Sequence, residues 1–278
     1  MTVRLGKIGY LNVLPIYHPL ENGLLENDFD IVSGPPSKLN RLMDTGDLDI
    51  SAASSIEYAR RPDQYYLVPD MAIGSCGPVQ SVLLLSQHPV DELSGSTILV
   101  SSQTHTSAAL LKTLLAEHWR QDVEFISGDA SARLEADERP DAILAIGDEA
   151  LNLRHHPSYP LRIDLGEAWR DLTGLPFIFG VWLVQRESFH AAPERIRQAC
   201  AILRKAKAWG AANQSDMCEL AAEGSCLDAV EMCSYFDGLV YDLGEAEQEG
   251  LLNFYDRLAA NGFIEAVPKL HLLPETDR

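Results

Sequence analysis

Ser101-Ser102-Gln103-Thr104-His105-Thr106-Ser107-Ala108-Ala109 follows Thr97-Ile98-Leu99-Val100, a short apolar run suited to a buried strand. It opens a run through Trp119 in which Leu111, Leu114, Leu115 and Trp119 share one helical face. A strand that passes directly into a helix is the building unit of an α/β fold. Five of the seven residues from Ser101 to Ser107 carry hydroxyls, where a helix start presents unpaired backbone N–H groups. Those N–H groups, the positive end of the helix dipole and the hydroxyls together suit an anion such as a carboxylate. Ser102 or Thr104 acting as a simple cap would account for one hydroxyl. Five of them, with Gln103 and His105 in between, favour a ligand site.

Working outward, strand-like and helix-like runs alternate along the chain. Val3–Gly9 reads as the first strand, and the loop Tyr10-Leu11-Asn12-Val13-Leu14-Pro15 places Asn12 where α/β proteins make ligand contacts. A second strand is expected at Phe29–Val32, a helix from Pro35 that Gly46 ends, and a buried strand at Leu48–Ala52. Ser54-Ser55-Ile56-Glu57 then opens a helix as a capping box, so Glu57 is assigned to capping rather than to chemistry. Ser54 and Ser55 remain candidates for a second charged group of the ligand. Tyr66–Pro69 and Met71–Gly74 suggest a strand and a turn, and Val82–Leu85 a buried strand. The run from Asp141 to Asp148 reads as a buried strand, with Asp148 capping the helix that follows. Val181–Val184 resembles a return strand, Pro193 introduces a helix to Ala212, and a last long helix covers Gly244 to Ala260. Tyr235, Phe236 and Tyr241 are assigned to the core. The expectation is an α/β protein of two lobes around a cleft, with lobe I formed by residues 1–88 plus 180–278 and lobe II by 89–179.

Composition narrows the functions available. A chain of 278 residues with 46% hydrophobic and 23% charged content is long enough for two cores and typical of a globular protein. A net charge of −19 argues against nucleic-acid partners and against docking on anionic membranes. It also repels any anionic ligand, which must then be held by local donors in a closed cleft. No signal peptide is visible at the N-terminus and no apolar run is long enough to span a membrane, so a cytoplasmic location is expected. The five cysteines show no metal-ligand spacing, and reduced, mostly buried thiols are expected.

Several blocks together resemble the chorismate dehydratase family of menaquinone biosynthesis. They are Gly9-Tyr10-Leu11-Asn12-Val13-Leu14-Pro15, the run Leu48 to Tyr58, Gly77-Pro78-Val79-Gln80-Ser81-Val82, Ser101 to Ser107, and Leu172-Thr173-Gly174-Leu175-Pro176-Phe177. The resemblance implies a two-lobed periplasmic-binding-protein-like fold of the second type, closing as a flytrap on its ligand. It implies that chorismate loses water to become 3-[(1-carboxyvinyl)oxy]benzoate, the first step of the futalosine route. Because aromatisation drives that step, no cofactor, metal or covalent nucleophile is required.

The implied partner is a small dicarboxylate, chorismate, and transient contact with the next pathway enzyme is allowed. Asn12 and Ser81 would hold the departing hydroxyl and the ring, while the substrate's own enolpyruvyl carboxylate takes the proton. Ser102, Gln103, Thr104, His105, Thr106 and Ser107 would bind one carboxylate, and Ser54 with Ser55 the other. Lys7, Lys38 and Arg41 are assigned to solvated surface. The rival readings are a solute-binding protein without catalysis, an effector-sensing domain, and the sister dihydroxynaphthoate synthase. The lack of an export signal speaks against the first, and the acidic balance against DNA contact by the second.

Overall fold

In the computed structural model, residues 2–101 and 104–274 are described. Ten strands form two five-stranded sheets: β1 (Val3–Lys7), β2 (Phe29–Ser33), β3 (Ile50–Ser54), β4 (Tyr65–Ser75), β5 (Val82–Ser86), β6 (Thr97–Val100), β7 (Glu124–Ser127), β8 (Ala142–Ile146), β9 (Leu161–Asp164) and β10 (Phe177–Gln185). The first sheet has the order β2-β1-β3-β10-β4 and the second β7-β6-β8-β5-β9. In the first, β1 runs parallel to β2 and β3, and β10 is antiparallel to β3 and β4. The second repeats this scheme, with β6 parallel to β7 and β8, and β5 antiparallel to β8 and β9.

Strands buried on both faces need apolar side chains on both, and β5, β6 and β8 are largely aliphatic runs for that reason. Period-2 alternation divides β5 between two cores. Val82 and Leu84 join the large cluster that runs through the first sheet, and Leu83 and Leu85 a smaller one with Leu99, Ile143 and Tyr159. Helix Pro193–Ala212 starts on its proline, and Gly210 in it lies so close to the Pro15 carbonyl that a Cβ would approach within 2.3 Å.

The chain changes sheet between Ser75 and Val82 and returns between Asp164 and Phe177. The expected first change near residue 88 comes after β5, whereas the pairing of β5 with β8 and β9 puts the change before it. One carboxylate ties the two crossings together. Asp164 accepts from the N–H groups of Val79 at 3.0 Å and Gln80 at 2.6 Å, and caps helix Leu165–Thr173 through Gly166 at 2.9 Å.

Other expectations are corrected. Residues 65–75 form one long strand, in which Asp70 takes φ of +57°. A further short helix, Ala130–Glu135, is capped by Asp129 accepting from Ala132 N–H. Cys218 and Cys233 form a disulfide between helices Gln214–Ala222 and Ala229–Asp237, so these thiols are not reduced. Of the three free cysteines Cys200 alone is buried, while Cys76 and Cys226 are exposed. Among the described residues no helix is long and apolar enough to cross a membrane.

Candidate active site

Between the sheets lies a cavity of about 100 Å³. Its apolar wall includes Ile8, Ile73, Val79, Phe179 and Leu239. Its polar wall gathers Asn12, Ser54, Ser81, Thr104, His105, Thr106 and Ser107, residues drawn from both sheets. Ser55 is not on the wall. It is fully buried behind Ser54, with its hydroxyl 3.4 Å from that of Thr106. Ser102 and Gln103 lie outside the described residues.

The start of helix His105–Leu114 opens on this cavity. Thr104 makes no side-chain cap there, and its Oγ1 is buried without a partner, so the simple-cap explanation fails for it. Asn12 Oδ1 is likewise buried and unpartnered. An orphaned buried acceptor or hydroxyl costs roughly 1–3 kcal/mol, and these two lie on the wall of one cavity. Among the described residues no lysine or arginine lines the cavity. Lys7 instead pairs with Glu21 at 2.6 Å, and Lys38 donates to the Ser33 carbonyl at 3.1 Å.

The capping box expected at Ser54 and Glu57 is not formed. Ser54 Oγ turns to Thr106 Oγ1, which also accepts from Ile56 N–H at 3.2 Å, so the hydroxyl comes from across the cleft. Glu57 is buried and meets Asn40 at 3.4 Å and Arg61 at 3.6 Å. Nor does Asp148 cap its helix. That helix begins at Gly147, and Asp148 Oδ1 accepts from Leu11 N–H at 3.2 Å. Burial raises the Asp148 carboxyl above its ordinary range, partly offset by that bond.

Two phenols assigned to the core, Tyr235 fully buried and Tyr241 partly buried, also reach the site. Tyr235 donates to Ser81 Oγ at 3.2 Å, and Tyr241 donates to the Asn12 carbonyl at 2.7 Å. Aromatic composition alone gave no sign of either bond. Tyr10 and Gly147 were also missed, although Tyr10 lies in the quoted loop beside Asn12.

Residues 3–260 match the family described as menaquinone biosynthesis. This chain belongs to the menaquinone biosynthesis family. Within the range of that match lie all the polar residues named on the cavity wall. A chorismate dehydratase of Thermus thermophilus is 30% identical over 91% of this chain and 94% of its own. A chorismate dehydratase of Campylobacter jejuni is 33% identical over 63% of this chain and 64% of its own. The 1,4-dihydroxy-6-naphtoate synthase of Thermus thermophilus is 24% identical over 96% and 97%. Among solved structures, protein AF1704 from Archaeoglobus fulgidus superposes with a TM-score of 0.77 at 20% identity, over 95% of this chain and 98% of its own. The periplasmic aliphatic sulphonate binding protein SsuA of Escherichia coli superposes at 0.70 with 17% identity, over 100% and 93%. The fold is therefore periplasmic-binding-protein-like, as expected.

Proposed function

We infer that this protein is a chorismate dehydratase, a hydro-lyase that converts chorismate to 3-[(1-carboxyvinyl)oxy]benzoate in menaquinone biosynthesis by the futalosine route. The observation that carries the reading is a cleft whose neutral polar groups include two orphaned ones, the acceptor Asn12 Oδ1 and the hydroxyl Thr104 Oγ1, in a chain 30% identical to a chorismate dehydratase along most of its length. The dihydroxynaphthoate synthase reading has weaker support, at 24% identity.

Chorismate is a dianion whose ring carries a hydroxyl next to the enolpyruvyl ether. The ether-bearing carbon loses its proton, the electron pair of that C–H bond becomes the new ring double bond, and the neighbouring C–O bond breaks. The hydroxyl leaves and combines with the proton as water, so the step is redox-neutral and ends in an aromatic ring. The enolpyruvyl carboxylate, already beside the proton, acts as the base. Asn12 and Ser81 hold the departing hydroxyl, and a donor placed where charge develops is typically worth about 10²–10³ in rate.

The helix start at Thr104, His105, Thr106 and Ser107, continuing the Ser102-Gln103 segment, receives one carboxylate, and Ser54 the other. Ser55 acts from behind, by holding Thr106. Closure excludes water and strengthens each of these bonds despite the acidic field of the chain. The two lobes divide at the crossings 76–81 and 165–176, and the hinge of closure lies there.

We place the activity in the cytoplasm. The Cys218–Cys233 bond runs against that location, because disulfides persist mainly in oxidising compartments, and cell fractionation tests it. The function itself is tested by incubating the purified protein with chorismate and following the benzoate chromophore. Stoichiometric conversion supports the reading, with Asn12→Ala slower by about 10²–10³. Binding without conversion would make this a solute-binding protein instead.

A further inference from the structure

Ser81 is buried at the cavity wall, and its hydroxyl has one hydrogen and two lone pairs to distribute. Left free, the rotor could present either a donor or an acceptor to substrate. The phenol of Tyr235 removes that choice, because it donates to Ser81 Oγ at 3.2 Å. Tyr235 does not line the cavity and has no exposed surface.

We propose that Tyr235 is a positioning residue whose phenol occupies a lone pair of Ser81 and thereby leaves the serine hydrogen to point into the cleft as a donor to the substrate's departing hydroxyl. This inference rests on the dehydratase reading above.

The arrangement around the pair is rigid. Gln80 Nε2 donates to the Ser234 carbonyl at 3.0 Å, so the residues next to Ser81 and Tyr235 in sequence are tied together as well. The Ser81 carbonyl accepts from Gly147 N–H at 2.7 Å, which fixes its backbone from the opposite side. Helix Ala229–Asp237, which carries Tyr235, is closed at its start by the reciprocal Asp228–Glu231 capping box and is linked through Cys233 to Cys218. Burial pushes the phenol well above its ordinary range, offset in part by the Ser81 bond and reinforced by the Asp148 charge, so it stays protonated at neutral pH.

Tyr235→Phe keeps the ring and deletes the donor. The expected result is a fall in kcat on chorismate of about tenfold, the rate equivalent of one ordinary hydrogen bond, with KM little changed. A merely structural role would not give the second expected result. In a Ser81→Ala background the same substitution produces no further loss, because the group it positions has gone. Replacing Tyr235 by 3-fluorotyrosine, which keeps the donor, restores turnover, and this measurement remains available if the phenylalanine variant folds poorly. An active wild type with kcat unchanged in Tyr235→Phe, or an equal loss in the Ser81→Ala background, would overturn this inference alone. A wild type that leaves chorismate intact would overturn the dehydratase reading and this inference with it.

Discussion

Asp148 Oδ1 accepts a hydrogen bond from the backbone N–H of Leu11 at 3.2 Å, although 137 positions separate the two residues in the chain. The contact joins the second sheet, at the end of β8, to the 3-10 turn Leu11–Val13 that carries Asn12. Gly147 makes the approach possible: its φ is +55°, and a Cβ there would come within 2.8 Å of the Tyr10 ring. Substituting Asp148→Ala removes the latch and leaves the cleft lining in place. The expected outcome is a rise in KM for chorismate and a fall in kcat/KM of about tenfold or more, since a bond to a charged acceptor is at stake. Steady-state kinetics beside a thermal melt separates this from general destabilisation, with the melting temperature expected to move little.

Asp49 provides the pH-dependent element of stability. It accepts from Arg4 through the backbone N–H at 2.8 Å, Nε at 3.1 Å and Nη2 at 2.6 Å, and from Ser188 Oγ at 2.7 Å. Burial alone would push this carboxyl up, but the Arg4 and Ser188 bonds outweigh burial and hold it below its ordinary range. A folded value below the unfolded one means stability that is complete above the ordinary aspartate pKa and lost as pH falls through the lowered value. At neutral pH, Asp49→Asn is expected to cost about 2 kcal/mol in urea unfolding. The curves for parent and variant should converge in strong acid.

Cys218 and Cys233 close a loop of sequence separation 15 around the helices behind Ser81. Replacing both by serine removes about 3 kcal/mol of constraint on the unfolded chain. Calorimetry with and without a dithiol reductant is expected to show the loss in the parent and no further change in the double variant.

The strand and helix order was legible because aliphatic runs and 3.6-residue spacing are imposed by burial, and Thr97–Val100 followed by the helix from His105 is the clearest case. The cavity wall was legible where polar residues crowd an element's end, as at Asn12 and Thr104–Ser107. What sequence could not supply were long-range partners. Ser54-x-x-Glu57 satisfies the local capping pattern, yet Thr106 from the other side of the cleft takes the Ser54 hydroxyl and Arg61 approaches Glu57. Tyr235 reads as core because it is buried there and Tyr241 because it packs against the core, and only their hydroxyl ends reach Ser81 and the Asn12 carbonyl. The place of β5 in the second sheet depends on pairing with β8 and β9, which no local pattern encodes.

The account depends on neutral groups holding a dianion that acts as its own base, and His105 is the one histidine among the described residues of the cavity wall. Measuring kcat of His105→Gln on chorismate therefore tests it most directly, because glutamine keeps a donor for the carboxylate and cannot take up a proton. The account predicts turnover within about tenfold of the parent, the loss of no more than one hydrogen bond. A loss of about 10²–10⁴, the usual contribution of a general acid or base, would make His105 the proton acceptor and contradict it.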